Sequence, residues 1–358
     1  MLILLGLAVA PLFVKMLIGD VDNDKNRKKR FLIYCGIIIA LVMGLRHYGV
    51  GTRDTENYRK LFFGAMNYSN IVDFFDVHKL FENVFLLSEI IFYAFTWCFS
   101  KIIPDYQCFL LAVSAFITYS VMRFIYKNSE NVLISVIMYI CLGLLTFNMN
   151  GMRQAVAMAI CLFSYNYAKN KKLVPFLLVV FIAVLVHKTA IFFVLIYFIS
   201  YLKFNIKSFA LFTIAIILFV LYADRLVALF DEIVDKNYSE GEPFKDGGYV
   251  TLIIYALMLI FAFVVGGKKL SEKDFSFMLY ITILGGVLYL ERYLSIQIYE
   301  RLSYYFFYSS LLILPKSVAR IDEEEKPIIT TTIIILSILL FAYRLYGSAF
   351  HNYMFFWG

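Results

Sequence analysis

Residues 31–58 read FLIYCGIIIALVMGLRHYGVGTRDTENY, an apolar run that passes directly into a segment rich in glycine and charge. The run from Phe31 to Leu45 can enter lipid as a helix, because a helix satisfies its backbone hydrogen bonds internally. From Arg46 onward, basic residues, carboxylates and glycines follow within a few positions. Charge at a membrane boundary is costly, and glycine lets the backbone approach a ligand closely. The stretch therefore predicts a membrane helix that carries a functional segment to one face of the bilayer.

The rest of the chain has the same apolar character. Its 358 residues are 62% hydrophobic and 18% aromatic, and the mean hydropathy is +0.78, which excludes an ordinary soluble domain. The apolar runs are continuous, as in helices, and do not alternate as barrel strands do. We expect an all-α polytopic membrane protein with about 12–13 transmembrane or re-entrant helices, forming a single integral membrane domain over residues 1–358.

Basic residues are concentrated in the short links between apolar runs. The net charge of +7 and the pI near 8.9 follow mainly from these links, and no nucleic-acid motif accompanies them, so no nucleic acid is expected as a partner. The positive-inside rule places the links in the cytoplasm; they are residues 25–30, 169–172, 203–207, 268–269 and 316–326. Outer loops are then expected at approximately 46–82, 223–248 and 291–301. Residues 1–19 lack a basic n-region, so they predict a first transmembrane helix with its N-terminus outside.

One part of this topology is inconsistent. Between the first two basic links the apolar runs predict five crossings, including one at Val84–Ser100, whereas two cytoplasmic loops require an even number. One segment between Glu56 and Phe147 is therefore re-entrant, lies on the surface, or is miscounted.

Arginines at the predicted outer ends of helices are the first candidates for chemistry. A guanidinium is a permanent cation whose planar fork matches phosphate oxygens. Snorkelling to the interface is the alternative for any one of them, and it is weaker for several on the side that the positive-inside rule disfavours. The arginines that fall at or just inside these ends, and so are candidates for binding an anionic substrate, are Arg46, Arg153, Arg292, Arg301 and Arg344.

His187 is the second candidate, because a histidine inside an apolar run is costly without a partner. A helix from Lys172 to His187 rises only about 22 Å, less than the bilayer core of about 30 Å. We expect His187 at a break between two short helices, at the floor of an outward-facing cavity. Its role is either a packing hydrogen bond or that of a general base. Asp54 is a second candidate base, or a loop charge that pairs with Arg46 or Arg53.

Aromatic and cysteine residues give weaker signals. Most of the 27 Tyr and 37 Phe residues are expected to pack or to lie in an interfacial belt, with Tyr58 and Tyr305 among those placed to stack on sugar rings. The five cysteines lie in apolar runs without metal-ligand spacing, so neither a metal nor another cofactor is expected.

The residues singled out above also occur in motifs with a fixed order: GLR (44–46) with GVGT (49–52) and DTENY (54–58), then NGMRQAVA (150–157), HKTA (187–190) and RLSYYF (301–306). They resemble the R-x-x-x-G-T-D-x-x-x-Y, N-x-x-R-Q-x-x-A, H-x-[ST]-A and R-x-x-x-Y-F elements of the EpsG family of Wzy-like polysaccharide polymerases. One departure is Arg53, which separates Gly51-Thr52 from Asp54, where the common pattern has Gly-Thr-Asp.

The resemblance implies a GT-C-like glycosyltransferase of the bacterial cytoplasmic membrane, multi-pass, metal-independent and inverting. Such an enzyme transfers a glycan from undecaprenyl diphosphate to an incoming lipid-linked oligosaccharide repeat unit at the outer face, building O-antigen, capsule or exopolysaccharide. Donor and acceptor are the expected partners, with membrane lipid and a chain-length regulator as further ones. On this reading His187 and Asp54 are the candidate bases, and the substrate-binding residues are Arg46, Arg53, Tyr58, Asn150, Arg153, Gln154, Arg292, Arg301 and Tyr305.

Two alternatives use the same sequence features. A flippase or transporter of the lipid-linked oligosaccharide predicts basic residues deep in several helices and repeated halves, and neither is visible. A membrane acyltransferase that decorates the polysaccharide would use His187 as its base, but the sequence offers no second buried His/Asp pair.

Overall fold

The structure of the protein, a computed structural model, describes residues 1–78, 89–222, 225, 228, 248–291 and 298–357, except for the side chains of Arg53, Val77 and Lys268. Within these residues the regular structure is helical, apart from one isolated bridge between Arg46 and Phe355. The α-helices are α1 Leu2–Ile18, α2 Lys25–Gly44, α3 Arg53–Met66, α4 Ile71–Val77, α5 Ile90–Ile102, α6 Tyr106–Asn128, α7 Val132–Cys141, α8 Leu144–Asn150, α9 Met152–Lys169, α10 Leu173–Val184, α11 Leu195–Ile199, α12 Ile206–Leu221, α13 Tyr249–Gly266, α14 Lys273–Glu291, α15 Ile298–Phe307, α16 Ser310–Val318 and α17 Lys326–Tyr346.

Several of these helices are built to cross a membrane. By length and composition α6, α13, α14 and α17 can each span a bilayer, and the pair α7 and α8, bent by 49°, makes a fifth span if it is counted as one. Shorter apolar helical segments of 10–17 residues accompany them: α1, α5, α10, α12 and residues 188–199. The prediction of an all-α polytopic membrane protein is confirmed. The total of about 12–13 transmembrane or re-entrant helices stays a prediction.

Hydrogen bonds between helix ends fix which ends share a face. Lys28 Nζ, in the first basic link, donates to the carbonyl of Ser129 at 2.9 Å, so the end of α6 lies beside the start of α2. At the other end, the Gln107 side chain donates to the carbonyl of Gly44, so α6 begins where α2 ends. The face opposite the basic links is called the outer face below.

Helix α5 resolves the uneven count of crossings. At its start, Glu89 contacts His187 and Arg153, both predicted on the outer side. At its end, Lys101 Nζ donates to the carbonyl of Met66 at the end of α3, in the first outer segment. Both ends of α5 therefore lie toward the outer face, so α5 is the segment that the uneven count left open. Its 13 residues rise only about 20 Å, too short for a full span. If α2, α6, the α7–α8 pair and α9 are counted as the crossings between the first two basic links, the parity is satisfied.

The predicted break at His187 is confirmed. Helix α10 ends at Val184, His187 is extended with φ −157°, and a 3₁₀ helix, Lys188–Val194, leads into α11. The hydroxyl of Tyr197 in α11 donates to the carbonyl of Lys171, just before α10, at 3.2 Å. Residues 173–199 therefore enter and leave from the same face, as a re-entrant hairpin with His187 at its tip.

Helix α7 lies at the centre of the bundle, since all ten of its residues are buried. It packs against α1, α16 and α17, and its buried side chains join one continuous core that includes residues of α6, α9 and α14. The outer helices α3 and α4 pack on α5 with a small apolar cluster of their own, which contains Ala65, Phe74 and Phe75. This rigid centre supports the outer-face residues that the sequence motifs supply.

Candidate functional site

The first outer segment is clamped to the end of α8. The backbone N–H of Thr52 donates to Asn150 Oδ1 at 3.0 Å. Gly51 has φ +110°, which L side chains rarely adopt, and a Cβ there would lie 2.3 Å from the same oxygen. Position 51 thus requires glycine because of both its backbone conformation and the lack of space for a side chain. Asn150, a predicted substrate-binding residue, holds the loop that precedes α3. Asp54 and Glu56 fall in the first turn of α3, where the helix dipole favours negative charge.

Arg46 is buried below this loop, with only 2% of its surface exposed. Its Nη2 donates to the carbonyl of Met149 at 2.8 Å, and its Nη1 donates to the carbonyl of Met43. Backbone bonds also join its neighbours His47 and Leu45 to residues 354 and 356. The guanidinium thus joins the ends of α2 and α8, and the backbone bonds add the C-terminal segment. Nε of Arg46 is buried without a hydrogen-bond partner in the described part of the chain, so its predicted substrate contact stays a prediction.

A buried carboxylate, Glu89, joins Arg153 to His187. Nη1 of Arg153 donates to Glu89 Oε2, and Nδ1 of His187 lies 3.2 Å from Glu89 Oε1. The Glu89 side chain is only 6% exposed, so both contacts are shielded from water. A carboxylate on Nδ1 selects the tautomer with the proton on Nδ1 and leaves the lone pair on Nε2. No hydrogen bond joins Nε2 to another described residue. His187 can therefore accept a proton there.

The guanidinium of Arg153 is held from one edge. Its Nη1 also lies 3.5 Å from the hydroxyl of Tyr93, and its Cζ lies 5.8 Å and 5.9 Å from the ring centroids of Tyr93 and Tyr58. Tyr58 is almost buried, and its hydroxyl accepts from the Arg153 backbone N–H at 3.3 Å. Nε of Arg153, in contrast, is buried without a hydrogen-bond partner in the described part of the chain. A buried unpaired donor on a fixed cation is what an anionic ligand would satisfy.

His78, at the end of the surface helix α4, extends this aromatic wall. Its ring lies 4.8 Å from that of Phe74 and 4.9 Å from that of Tyr93. Burial lowers the pKa of His78 below its ordinary value of 6.5, and the nearby positive charge of Arg153 lowers that pKa further. At neutral pH the imidazole is uncharged, so it does not repel Arg153.

Arg301 and Asp54 form a second, more open pair. Their Nη2 and Oδ2 atoms are 3.6 Å apart, and the two side chains are 48% and 41% exposed. An exposed pair of this kind contributes at most about 1 kcal/mol, so a ligand can displace it at little cost. Gln154 Nε2 donates to the carbonyl of Arg301 at 2.5 Å, which ties the start of α15 to α9 beside Arg153. The structure thus places Asp54 against Arg301 and away from any contact with His187.

Tyr305 is buried, with its hydroxyl 3.0 Å from Thr189 Oγ1. This bond joins α15 to the hairpin two residues beyond His187, so Tyr305 positions the hairpin. Lys188 is also buried, next to His187. Predicted residues that fall outside the description are the side chain of Arg53 and the whole of Arg292; most of the expected outer loop 223–248 and part of 291–301 also lie outside it.

Glu89 was missed by the sequence reasoning, as were Tyr93 and His78. The signal for Glu89 was present: a single carboxylate within a predicted apolar run is costly and functional by default, the same argument that selected His187. The structure also supplies the buried acidic partner of His187 that the sequence did not reveal.

The comparisons with known proteins identify a family. The model of the EpsG family matches residues 29–357, nearly the whole chain. No curated protein and no solved structure matches it.

Proposed function

The chain belongs to the EpsG family, and on that premise we propose that it polymerises a polysaccharide by transferring a growing glycan from undecaprenyl diphosphate to the sugar of an incoming lipid-linked repeat unit. Membership of the family makes it a multi-pass, polysaccharide polymerase-like membrane protein of the glycosyltransferase type. The donor, the acceptor, the location at the outer face of the bacterial cytoplasmic membrane and the mechanism are parts of the proposal.

The observation that carries the proposal is the Arg153–Glu89–His187 cluster. It combines a fixed cation that has an unpaired donor with a histidine oriented by a carboxylate. Glycosyl transfer from a diphosphate needs both: positive charge where the leaving group forms, and a base for the acceptor hydroxyl.

In the proposed reaction the acceptor hydroxyl oxygen attacks C1 of the donor sugar from the face opposite the diphosphate. The C1–O bond to the diphosphate breaks, and its electron pair leaves with the phosphate oxygen. His187 Nε2 takes the hydroxyl proton, and Glu89 stabilises the imidazolium that forms. Arg153 and Arg301 bind the diphosphate and stabilise its developing charge, so the departure of the leaving group needs no metal. Because the attack comes from the face opposite the diphosphate, the configuration at C1 is inverted. Asp54 releases Arg301 when the diphosphate binds.

Polymerisation by the purified protein with lipid-linked repeat units tests this assignment. We expect ladders of longer glycans from the wild type, and only unit-length glycans from Arg153→Ala and His187→Gln. The matched controls are Arg123→Ala and His351→Gln, and both should polymerise normally. Arg123 is half-buried and lies near the end of α6 that faces away from the outer face. Polymer of normal length in both site variants would remove these roles. Acylated units from the wild type would indicate the acyltransferase, and unchanged units the transporter.

A further inference from the structure

A cleft between the outer halves of α13 and α17 is separate from the Arg153 cluster. Its outer part is a cavity of about 590 Å³, within the range of small-ligand sites. Polar, aromatic and charged side chains line it, among them Thr52, Asn150, Tyr249, Glu300, Tyr304 and Arg344. Phe147, beside Asn150 on α8, stacks on the Tyr304 ring at 3.8 Å, which fixes that part of the wall.

Arg344 is the cation at this end of the cleft. Its guanidinium lies flat against Gly143, which has φ +95°, and a Cβ at that position would be 2.5 Å from Nη2. Nη1 is buried without a hydrogen-bond partner among the residues that the structure describes. The glycine thus leaves space for the Arg344 guanidinium. Like Arg153 at the first site, Arg344 has a buried N–H group that a ligand could bind.

Below this cavity an apolar groove of about 850 Å³ continues along the same two helices. Val250 lines both spaces, and Leu340 of the groove adjoins Phe341 of the cavity, so the two are continuous. The groove follows α13 from Val250 to Val264, about 21 Å. Side chains such as Leu257 and Leu336, more than half exposed, line it on the two helices, which places it against lipid.

We propose that this cleft binds a second lipid-linked substrate, with the polyprenyl chain in the groove between α13 and α17, the diphosphate on Arg344 and the sugars in the cavity beyond. The inference rests on the proposed function, which needs two lipid-linked substrates, and it assigns the acceptor to this cleft and the donor to Arg153 and Arg301. The lining of the cavity favours this occupant over a bulk phospholipid, because beyond Arg344 it presents hydroxyl, amide and aromatic groups, which suit sugars. The two sites are also neighbours along the chain, because residues 52, 150 and 300 of the cavity wall lie one to three positions from Asp54, Arg153 and Arg301.

Photocrosslinking tests the lipid part of the site. Benzoylphenylalanine is placed at Leu257 in the groove or at Leu178 on α10, which are 59% and 60% exposed, in protein reconstituted into phosphatidylglycerol–phosphatidylethanolamine nanodiscs. The probe is ³²P-labelled undecaprenyl diphosphate. Labelling should be strong at position 257 and weak at position 178, and excess phosphatidylglycerol should not compete. Equal labelling at both positions, or competition by phosphatidylglycerol, would overturn the inference.

Variants of the cation test the headgroup part. Arg344→Ala should reduce labelling at position 257 about tenfold, the effect of losing one hydrogen bond to a charged group. Gly143→Ala, which displaces the guanidinium while keeping it, should reduce labelling in the same direction, and Arg123→Ala should not. Unchanged labelling in both Arg344→Ala and Gly143→Ala would refute the role of Arg344.

The two proposals fail in different ways. Arg153→Ala should stop polymerisation but leave labelling at position 257 intact. Polymerising wild-type protein without preferential labelling at position 257 would refute the second site alone. Wild-type protein that is labelled there and never extends a glycan would refute the polymerase and leave the lipid diphosphate site standing.

Discussion

Replacing Glu89 with glutamine removes one negative charge from the cluster that Arg153 and His187 share, while nearly preserving its shape. The Glu89 side chain is 6% exposed, so water cannot replace the lost charge. Breaking a fully buried ion pair costs about 3–5 kcal/mol, and the cost here is smaller because the Arg153 side chain is 25% exposed and water can partly solvate it. The amide can also present its NH₂ group to Nδ1 of His187, which would favour the wrong tautomer.

The expected effect on catalysis follows from both losses. A general base that is no longer oriented loses about 10²–10⁴-fold in rate, and 100-fold corresponds to about 2.7 kcal/mol. We expect glycan extension by Glu89→Gln to slow by at least about 100-fold, with kcat affected more than KM because the change acts through the base. Glu89→Asp, which keeps the charge at a shorter reach, should be intermediate.

The assay is the initial rate of repeat-unit joining by purified protein, normalised to the amount of folded protein. The matched control is Glu272→Gln, since Glu272 lies outside the motifs, pairs with Arg320 and is 50% exposed. That change should leave the rate unaffected. A wild-type rate in folded Glu89→Gln would refute the assignment of Glu89 as the residue that orients His187.

Three further outcomes follow from the outer segment. Arg46→Met leaves two buried carbonyls without their donor, so we expect a loss of about 3 kcal/mol in the free energy of unfolding and a lower Tm, and an unchanged Tm would contradict the structural role. Gly51→Ala places a side chain in a strained conformation that costs about 1–3 kcal/mol, so polymerisation should fall; Gly64→Ala on α3, where a Cβ meets nothing within 4 Å, should be neutral. His78→Phe should flatten the decrease in Tm as the pH falls below 6.5, because a histidine with a lowered pKa loses stability when it must be charged beside Arg153; identical Tm-against-pH curves would exclude this.

The sequence predicted the parts of the fold that depend on local length and composition. The break at His187 could be predicted because the segment from Lys172 is too short to cross a bilayer. Hydropathy does not distinguish a short apolar helix that crosses the bilayer from one that lies in its outer half. For that reason the apolar run of α5 was counted among the crossings.

The candidate site could be predicted only in part, because pairing is a property of the tertiary structure. Its place at an outer helix end selected Arg153, and the apolar run around it selected His187. The two residues do share a partner, but that partner lies about 60–100 residues away in sequence. An arginine at a helix end can face a ligand or the interior, and nothing local to Arg46 distinguishes the two. Its burial depends on the end of α8 and the C-terminal segment, which only the folded chain brings together.

The re-entrant hairpin has a consequence for how the protein is made. At its tip the carbonyl of Leu185 accepts from the backbone N–H of Ile91 at 3.1 Å, at the start of α5. Backbone polar groups at this depth are tolerated only where protein satisfies them, so the tip has no stable position in bare lipid. During insertion into the membrane, residues 173–199 must therefore settle after α5 and α9 have assembled. Placement of the candidate base His187 is thus a late step of biogenesis, and incompletely assembled chains would not hold it against Glu89.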